Sequence, residues 1–328
     1  EEVLKRTLGV PIFQEQVMRL AIVAAGFSPG EADRLRRAMA AWKRRGGLGP
    51  FEQRLISGMR ERGYAESFAR QIFQQILGFG EYGFPESHAA SFALLVYVSA
   101  WLKCHEPAAF TAALLNSQPM GFYAPAQLVR DARANGVAVL AVDVRASDVD
   151  CTLELATPAP STAPPGPTYA LASVPVAALR LGLRQVNSLS ATGAARIVAA
   201  RAAGLFASVQ ELAARAALDR GDLEALAAAG ALAGLSGNRH QAFWGVAGTE
   251  RALPLAPHSE TAEATPLLPV PTEGEDIVAD YRAIGLTLGR HPLALLRERL
   301  AREHIRSAVQ LGELASGRLV KVAGIVIT

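Results

Sequence analysis

The stretch Glu81-Tyr82-Gly83-Phe84-Pro85-Glu86-Ser87-His88-Ala89-Ala90-Ser91-Phe92 decides the fold assignment of this chain. A turn that carries two aromatic side chains, Tyr82 and Phe84, leads through Ser-His into an apolar run from Ala89 to Leu102. This run is interrupted by serines and is too short to cross a bilayer. It predicts a buried core helix of a soluble protein, with Ser87 as its N-cap.

A second motif lies upstream, where Leu35-Arg36-Arg37-Ala38-Met39 places twin arginines in an Ala-rich helix. Ser28 and Glu31 flank a Pro-Gly pair and form the capping-box pattern that starts such a helix. Asp33 and Arg37 are four residues apart, so they can form an ion pair on the helix surface.

Composition predicts a mainly α, multidomain protein, since 328 residues exceed the usual size of one core and the chain is rich in alanine. The modest net charge of +3 is unevenly distributed. Residues 34–45 carry six cations and no acid, and residues 155–210 contain no Asp or Glu. Two such zones are typical of a phosphate-backbone footprint, although arginines that merely solubilise helices give the same pattern.

The two cysteines, Cys104 and Cys151, have neither metal-ligand spacing nor a disulfide framework. The chain also shows no secretory signal pattern. Both observations predict a reducing, cytoplasmic environment.

The two motifs, in this order, resemble the fingers region of bacterial C-family DNA polymerases, the DNA polymerase III alpha subunits. Two further tracts, Trp42–Gly47 and Asn116–Tyr123, resemble the error-prone, damage-inducible (ImuC-type) branch of this family more than the replicative branch. The replicative alpha subunit is the nearest alternative.

The resemblance implies helical fingers, a small α/β segment with a Pro-rich insertion, a helix-hairpin-helix pair and the first strand of a truncated oligonucleotide-binding (OB) barrel. We also expect a returning strand at Tyr169–Leu171 and a helix near Asp280–Leu300. The expected divisions are 1–119 (fingers), 120–178 (mixed segment), 179–250 (tandem helix-hairpin-helix), 251–278 (linker), 279–316 (helical connector) and 317–328 (start of the OB fold).

By resemblance, Arg36 and Arg37 lie against the triphosphate of the incoming nucleotide, where guanidinium groups grip phosphate oxygens. The alternative is a helix-surface pair in which Arg37 serves Asp33. Lys43, Tyr82 and His88 complete the predicted nucleotide-binding set. Tyr82 and Phe84 either stack on the nascent base pair or anchor the turn, and His88 has a plain structural alternative.

A second set is predicted to contact DNA. Residues 181–198 resemble a helix-hairpin-helix, whose backbone N–H groups bind one DNA phosphate whatever the sequence. The usual Gly-hydrophobic-Gly hairpin is replaced here by Ser188-Leu189-Ser190, so a purely structural hairpin is the alternative. A weaker copy runs from Asp219 to Leu235, and its expected role is to pack against the first. The predicted DNA-contacting residues are Arg44, Arg45, Arg184, Ser188, Ser190, Gly193 and Arg196.

No catalytic or metal-ligating residue is assigned in this sequence. Asp148-Val149-Asp150 has the spacing of a metal site, but it stands in the wrong order and reads better as a solvated turn. Polymerisation needs carboxylates that hold two metal ions, Mg²⁺ in this family. The resemblance puts those aspartates in a palm upstream of Glu1, so we expect this chain to be an excerpt that is inactive alone.

The implied function is error-prone, template-directed DNA synthesis in damage repair. The expected partners are primer–template DNA, deoxynucleoside triphosphates, the sliding clamp and a Y-family-like accessory protein, with no membrane involved. Two other classes remain: a non-catalytic helix-hairpin-helix DNA-binding scaffold, and a helical protein–protein adaptor without salt-dependent affinity for DNA.

Overall fold

The computed structural model describes residues 2–40, 48–82, 84–155, 177–249 and 266–325. It is mainly α-helical, as predicted. The chain divides into two compact units, Glu1–Trp101 and Leu102–Thr328.

The first unit is a helical array with its own core. Its buried residues include Leu35, Leu48, Leu55, Met59 and Ile76, which come from three helices and the turn before one of them. The helices are α1 (Gln14–Ala25), α2 (Pro29–Ala40), α3 (Gly49–Glu61), α4 (Glu66–Tyr82) and α5 (Glu86–His105), the last of which crosses the division between the units.

The capping box that was predicted to start α2 is present. Ser28 N–H donates to Glu31 Oε2 at 2.7 Å, and Glu31 N–H donates to Ser28 Oγ at 3.3 Å. Each side chain therefore satisfies a backbone donor that the first helical turn leaves without an intrahelical partner.

Helix α5 departs from prediction in two ways. It begins at Glu86, so Ser87 lies inside the helix, and the prediction that Ser87 is its N-cap is wrong. The prediction of a buried core helix is also wrong for the described residues, since none of α5 is buried and Leu94 and Tyr97 are exposed. An apolar run indicates that a helix prefers burial, but it does not say which part of a protein covers it.

The second unit combines helices with two small sheets. The strands are β1 (Val139–Leu140), β2 (Thr152–Leu155), β3 (Ala177–Arg180), β4 (Ile305–Arg306) and β5 (Lys321–Val322). The helices are α6 (Pro107–Asn116), α7 (Pro125–Ala134), α8 (Ala191–Arg201), α9 (Val209–Arg215), α10 (Arg220–Ala228), α11 (Ala233–Ser236), α12 (Arg239–Ala247), α13 (Glu273–Ile284), α14 (Pro292–Leu295), α15 (Arg297–Arg302) and α16 (Ala308–Gly312).

Strand β3 lies at the centre of the three-stranded sheet. It pairs in parallel with β1 and antiparallel with β2, so that Thr152 lies opposite Arg180. The predicted returning strand at Tyr169–Leu171 and the Pro-rich insertion lie outside the described residues, and β3 is the observed partner of β2.

One core runs through the second unit. Val142 and Val144, from the mixed segment, belong to the same buried cluster as Leu212, Leu226 and Ala283 from the helices that follow. The division between the two compact units, at residue 101, lies before the predicted boundary at residue 119. At the predicted boundary at residue 178, the described residues on both sides belong to the same core. The six-part division stays a prediction about the chain.

The elements after residue 266 begin and end at clear signals. Thr272 and Glu275 form a capping box that starts α13 at Glu273, and Gly285 ends this helix with a left-handed φ of 71°. The prediction of one helix near Asp280–Leu300 is therefore wrong, because the chain turns at Gly285 and resumes in the short helices α14 and α15. The predicted linker, 251–278, likewise overlaps the start of α13.

The strand predicted at residues 318–327 is short. Among its described residues, 318–325, only Lys321 and Val322 are in strand geometry, and they pair in parallel with β4. Within the described ranges, the structure contains no helix that is long and apolar enough to cross a membrane.

Candidate nucleic-acid interface

The first predicted hairpin has the backbone shape of a helix-hairpin-helix turn. A short 3₁₀ helix at Leu183–Gln185 leads into Ser188-Leu189-Ser190, and α8 follows. Ser188 adopts a left-handed φ of 66°, a conformation that glycine adopts at least cost. Leu189 packs against the core. Ser188 thus adopts the positive φ that a glycine would supply at this position, whereas Ser190 is extended with a φ of −69°.

Asp222, on α10, binds this hairpin from inside the protein. Its Oδ1 accepts from the Ser190 backbone N–H at 2.8 Å, and its Oδ2 accepts from Ser190 Oγ at 3.0 Å. Asp222 is only 2% exposed. The weaker second copy therefore packs against the first, as predicted, and it does so through a buried carboxylate.

The same carboxylate explains why a glycine is needed at position 193. A Cβ atom at this position would lie 2.3 Å from Asp222 Oδ2 and 2.8 Å from Ser190 Oγ. Ser190 also caps α8, since its hydroxyl accepts from Gly193 N–H at 2.9 Å. The close approach that glycine permits here is thus made to a protein side chain.

Residues 155–210 contain no acid of their own, but acids from other parts of the chain lie beside their arginines in the fold. Each of its four arginines forms an ion pair with an acid from elsewhere in the chain, in part because β2 and the loop before it lie beside β3. The pairs are Arg180–Glu154 at 2.7 Å, Arg184–Asp150 at 2.8 Å, Arg196–Asp222 at 3.7 Å and Arg201–Asp148 at 2.6 Å.

These four arginines differ in how much donor capacity they retain. Arg201 also donates to two backbone carbonyls and is largely buried. Arg184 donates to the Asn116 carbonyl as well as pairing with Asp150. Arg196 makes one long contact and its side chain is 45% exposed, so it keeps the largest share of free N–H groups.

Asp148 and Asp150, which have the spacing of a metal site, form ion pairs with Arg201 and Arg184 respectively. Across the described ranges, no group of three or more His, Cys, Asp or Glu side chains is arranged to hold a metal ion.

In the first unit, Arg36 and Arg37 converge on one carboxylate. Arg36 Nη2 lies 2.9 Å from Asp33 Oδ1, and Arg37 Nη2 lies 2.9 Å from Asp33 Oδ2. The hydrogen bond from Arg36 is the main cause that lowers the pKa of Asp33. The structure thus brings the predicted twin arginines together on the helix surface, with part of each guanidinium still exposed.

The structure describes only some of the other residues that were predicted for the nucleotide site. Lys43, Arg44 and Arg45 lie outside the described residues, as does the side chain of Tyr82. His88 is exposed, and its ring lies 4.5 Å from that of Phe92 one turn along α5. Phe84 is half-exposed, and its carbonyl accepts from Gln14 N–H at 2.9 Å, so its backbone, more than its side chain, anchors the turn.

Two families match this chain. The family described as "Bacterial DNA polymerase III alpha subunit finger domain" matches residues 1–63, and the family described as "Helix-hairpin-helix motif" matches residues 136–242. An "Error-prone DNA polymerase" of Methylococcus capsulatus is 62% identical over 335 residues, which cover 100% of this chain and 31% of that protein. Proteins of the same name from Alkalilimnicola ehrlichii and Burkholderia mallei are 61% and 58% identical, each over 99% of this chain and 30% and 29% of their own length.

Over almost its whole length the chain is similar to bacterial proteins named error-prone DNA polymerase. The predicted resemblance is confirmed, both for the alpha-subunit fingers and for the error-prone branch. The chain spans about a third of the length of the curated relatives that it matches.

Sequence reasoning missed the residue that organises the hairpin of this chain. Asp222 lies on the buried side of α10 next to Leu223, and an acid beside a core position is the signal that was available. Arg239 was also missed. It is 11% exposed and joins Asp276, Asp280 and the Ala228 carbonyl, which ties α12 to α13.

Proposed function

We propose that the full-length protein is an error-prone DNA-directed DNA polymerase and that this chain supplies part of its fingers and its helix-hairpin-helix region. The observation that carries the proposal is the similarity of the whole chain to proteins named for that activity, at up to 62% identity. The match to the finger-domain family favours a polymerase over a scaffold built only of helix-hairpin-helix units. The names of the relatives favour the error-prone branch over the replicative one.

In this proposal, α2 presents Arg36 and Arg37 to the triphosphate of the incoming nucleotide. Two adjacent guanidiniums that share one carboxylate keep outward N–H donors, and these can neutralise charge that develops on a transferring phosphoryl group. Lys43, Tyr82 and His88 complete the proposed nucleotide set.

DNA contacts in the proposal are sequence-independent and use phosphate oxygens. Arg196 is the best-placed described candidate, because its guanidinium is half-exposed and weakly paired. Arg184 has less free capacity, and Arg44 and Arg45 join the set from outside the described residues. Ser188 shapes the hairpin beside them through its left-handed backbone.

The metal chemistry belongs to another part of the protein. Two Mg²⁺ ions would stabilise the attacking and leaving oxygens of nucleotide transfer. The described residues do not fit such a site, because Asp148 and Asp150 are engaged by arginines. We propose that palm carboxylates in the part of the full-length protein beyond this chain hold the metal. The sliding clamp, a Y-family-like accessory protein and a cytoplasmic location complete the proposal.

Primer extension tests it. The full-length protein should add nucleotides to a primer on undamaged and lesion-containing templates, whereas this chain alone should add none. Absence of incorporation by a folded full-length protein would overturn the polymerase assignment. Binding of DNA by that inactive protein would then favour the scaffold.

A further inference from the structure

We propose that Asp222 closes the first hairpin to DNA, because its carboxylate takes the place that a DNA phosphate takes at an open helix-hairpin-helix. The hairpin then holds the first helix-hairpin-helix copy against the second. Neighbouring cations such as Arg196 make the phosphate contacts instead. This inference rests on the proposed function in one respect: it takes DNA to be the ligand that Asp222 keeps from the hairpin.

Three donors of the hairpin and of the first turn of α8 are already used, namely Ser190 N–H, Ser190 Oγ–H and Gly193 N–H. An open hairpin offers backbone N–H groups at the start of its second helix to a phosphate oxygen. Here the Ser190 N–H donates to Asp222 Oδ1 at 2.8 Å, and the hydroxyl that could substitute as a donor is turned to Asp222 Oδ2 at 3.0 Å. Gly193 N–H, a third donor on this turn, is taken by Ser190 Oγ at 2.9 Å.

The Asp222 carboxylate is a fixed anion in the position where a phosphate oxygen would otherwise bind. Asp222 is anchored on α10, where its own N–H donates to Asp219 Oδ1 at 2.8 Å. It is 2% exposed, so its charge is compensated by these hydrogen bonds, by the start of α8 and by Arg196 Nη2 at 3.7 Å. A phosphate that approached the same donors would meet both steric exclusion and like charge.

Gly193 shows that the fit is specific. Its missing side chain leaves the space that Asp222 Oδ2 occupies, 2.3 Å from an ideal Cβ position. The glycine therefore accommodates the internal anion, and it leaves no room there for an external one.

The test compares Asp222→Ala with Glu224→Ala. Both variants remove one negative charge from α10, but Glu224 is an exposed residue that pairs with Arg220 and does not contact the hairpin. Asp222→Ala should bind duplex DNA about ten-fold more tightly than Glu224→Ala, with a log–log salt slope steeper by about 0.9, the value for one added phosphate contact. Equal affinities and slopes for the two variants, or weaker binding by Asp222→Ala, would overturn the proposal.

A second readout needs no DNA. Inorganic phosphate at constant ionic strength should raise the melting temperature of Asp222→Ala more than that of Glu224→Ala or the unmodified chain. An equal response of all three proteins would contradict an anion site that Asp222 fills. If the unmodified chain fails to bind DNA, the proposed function fails, while this readout still decides the role of Asp222.

Ser190→Ala covers the case in which Asp222→Ala does not fold. It removes the hydroxyl contact but keeps the backbone amide, and circular dichroism is used to check that it folds. A closed hairpin predicts DNA affinity within about two-fold of the unmodified chain, since no contact to DNA is lost. A ten-fold loss of affinity in folded Ser190→Ala would show that the hairpin binds DNA directly and would overturn the proposal.

Discussion

Arg36 donates from Nε to Asp33 Oδ1 at 3.0 Å, while Arg37 holds the other oxygen of the same carboxylate. This geometry fits both readings of the twin arginines, because a surface ion pair and a prearranged phosphate grip look alike in the absence of nucleotide.

Nucleotide kinetics separate the two readings. In the full-length protein, Arg36→Ala combined with Arg37→Ala should raise the apparent KM for nucleotides by about ten-fold or more, because charge-assisted hydrogen bonds to phosphate are lost. Affinity for primer–template DNA should be unchanged. Arg34→Ala, at an exposed position on the same helix, is the matched control. Unchanged nucleotide kinetics in the double variant would leave Arg36 and Arg37 as a structural pair.

Ser188→Gly should stabilise the chain. A non-glycine residue with a φ of 66° adopts a left-handed conformation that costs roughly 1 kcal/mol, and glycine relieves most of this strain. We expect about 0.5 kcal/mol of added stability, measured as a higher urea midpoint with an unchanged m value. Ala202→Gly, at an exposed helix-end residue with a φ of −59°, should shift the midpoint downwards. A lower midpoint for Ser188→Gly would show that the serine side chain has a role of its own.

Arg239→Ala should be strongly destabilising. The guanidinium is largely buried, and its removal takes one hydrogen-bond partner from each of Asp276, Asp280 and the Ala228 carbonyl. Loss of one member of such a buried pair costs about 3 kcal/mol. Arg220→Ala breaks an exposed pair with Glu224 and should cost less than about 1 kcal/mol in the same urea titration. Equal effects of the two variants would contradict the role given to Arg239.

The ion pair between β2 and β3 should make stability depend on pH. The hydrogen bond from Arg180 is the main cause that lowers the pKa of Glu154. A carboxyl group whose pKa is lower in the folded state contributes stability above its unfolded pKa, about 4.3, and loses it as pH falls through the folded value. Glu154→Gln should therefore be less stable than the unmodified chain at pH 7, and this gap should close at acidic pH. A gap that is constant with pH would contradict the assignment.

Local features of this fold were predictable from sequence, and long-range ones were not. The Ser28–Glu31 capping box and the hairpin at Ser188-Leu189-Ser190 depend on residues a few positions apart, so their geometry follows from spacing. Arg201 and Asp148 are separated by 53 residues and meet only because the sheet and α8 share a core. The acid-free zone therefore appeared basic in sequence although its arginines are paired in the fold.

The exposure of α5 shows a different limit of prediction from sequence. Its composition indicates a core helix, yet hydropathy describes the helix alone and not its surroundings. None of its residues is buried in the part of the chain that the structure describes. Asp222 illustrates the reverse case, since a single charged residue on an otherwise apolar face gave little signal but proved to organise the candidate interface.

The measurement that tests the central claim most directly is binding of this chain to a fluorescent primer–template duplex, followed by anisotropy across a salt series. We expect affinity that is indifferent to DNA sequence and falls steeply with salt, with a log–log slope of about −2.7 or steeper, which corresponds to three or more neutralised phosphates. No binding at low salt by a chain whose circular dichroism shows intact helices would contradict a DNA-binding role and would favour a helical protein–protein adaptor.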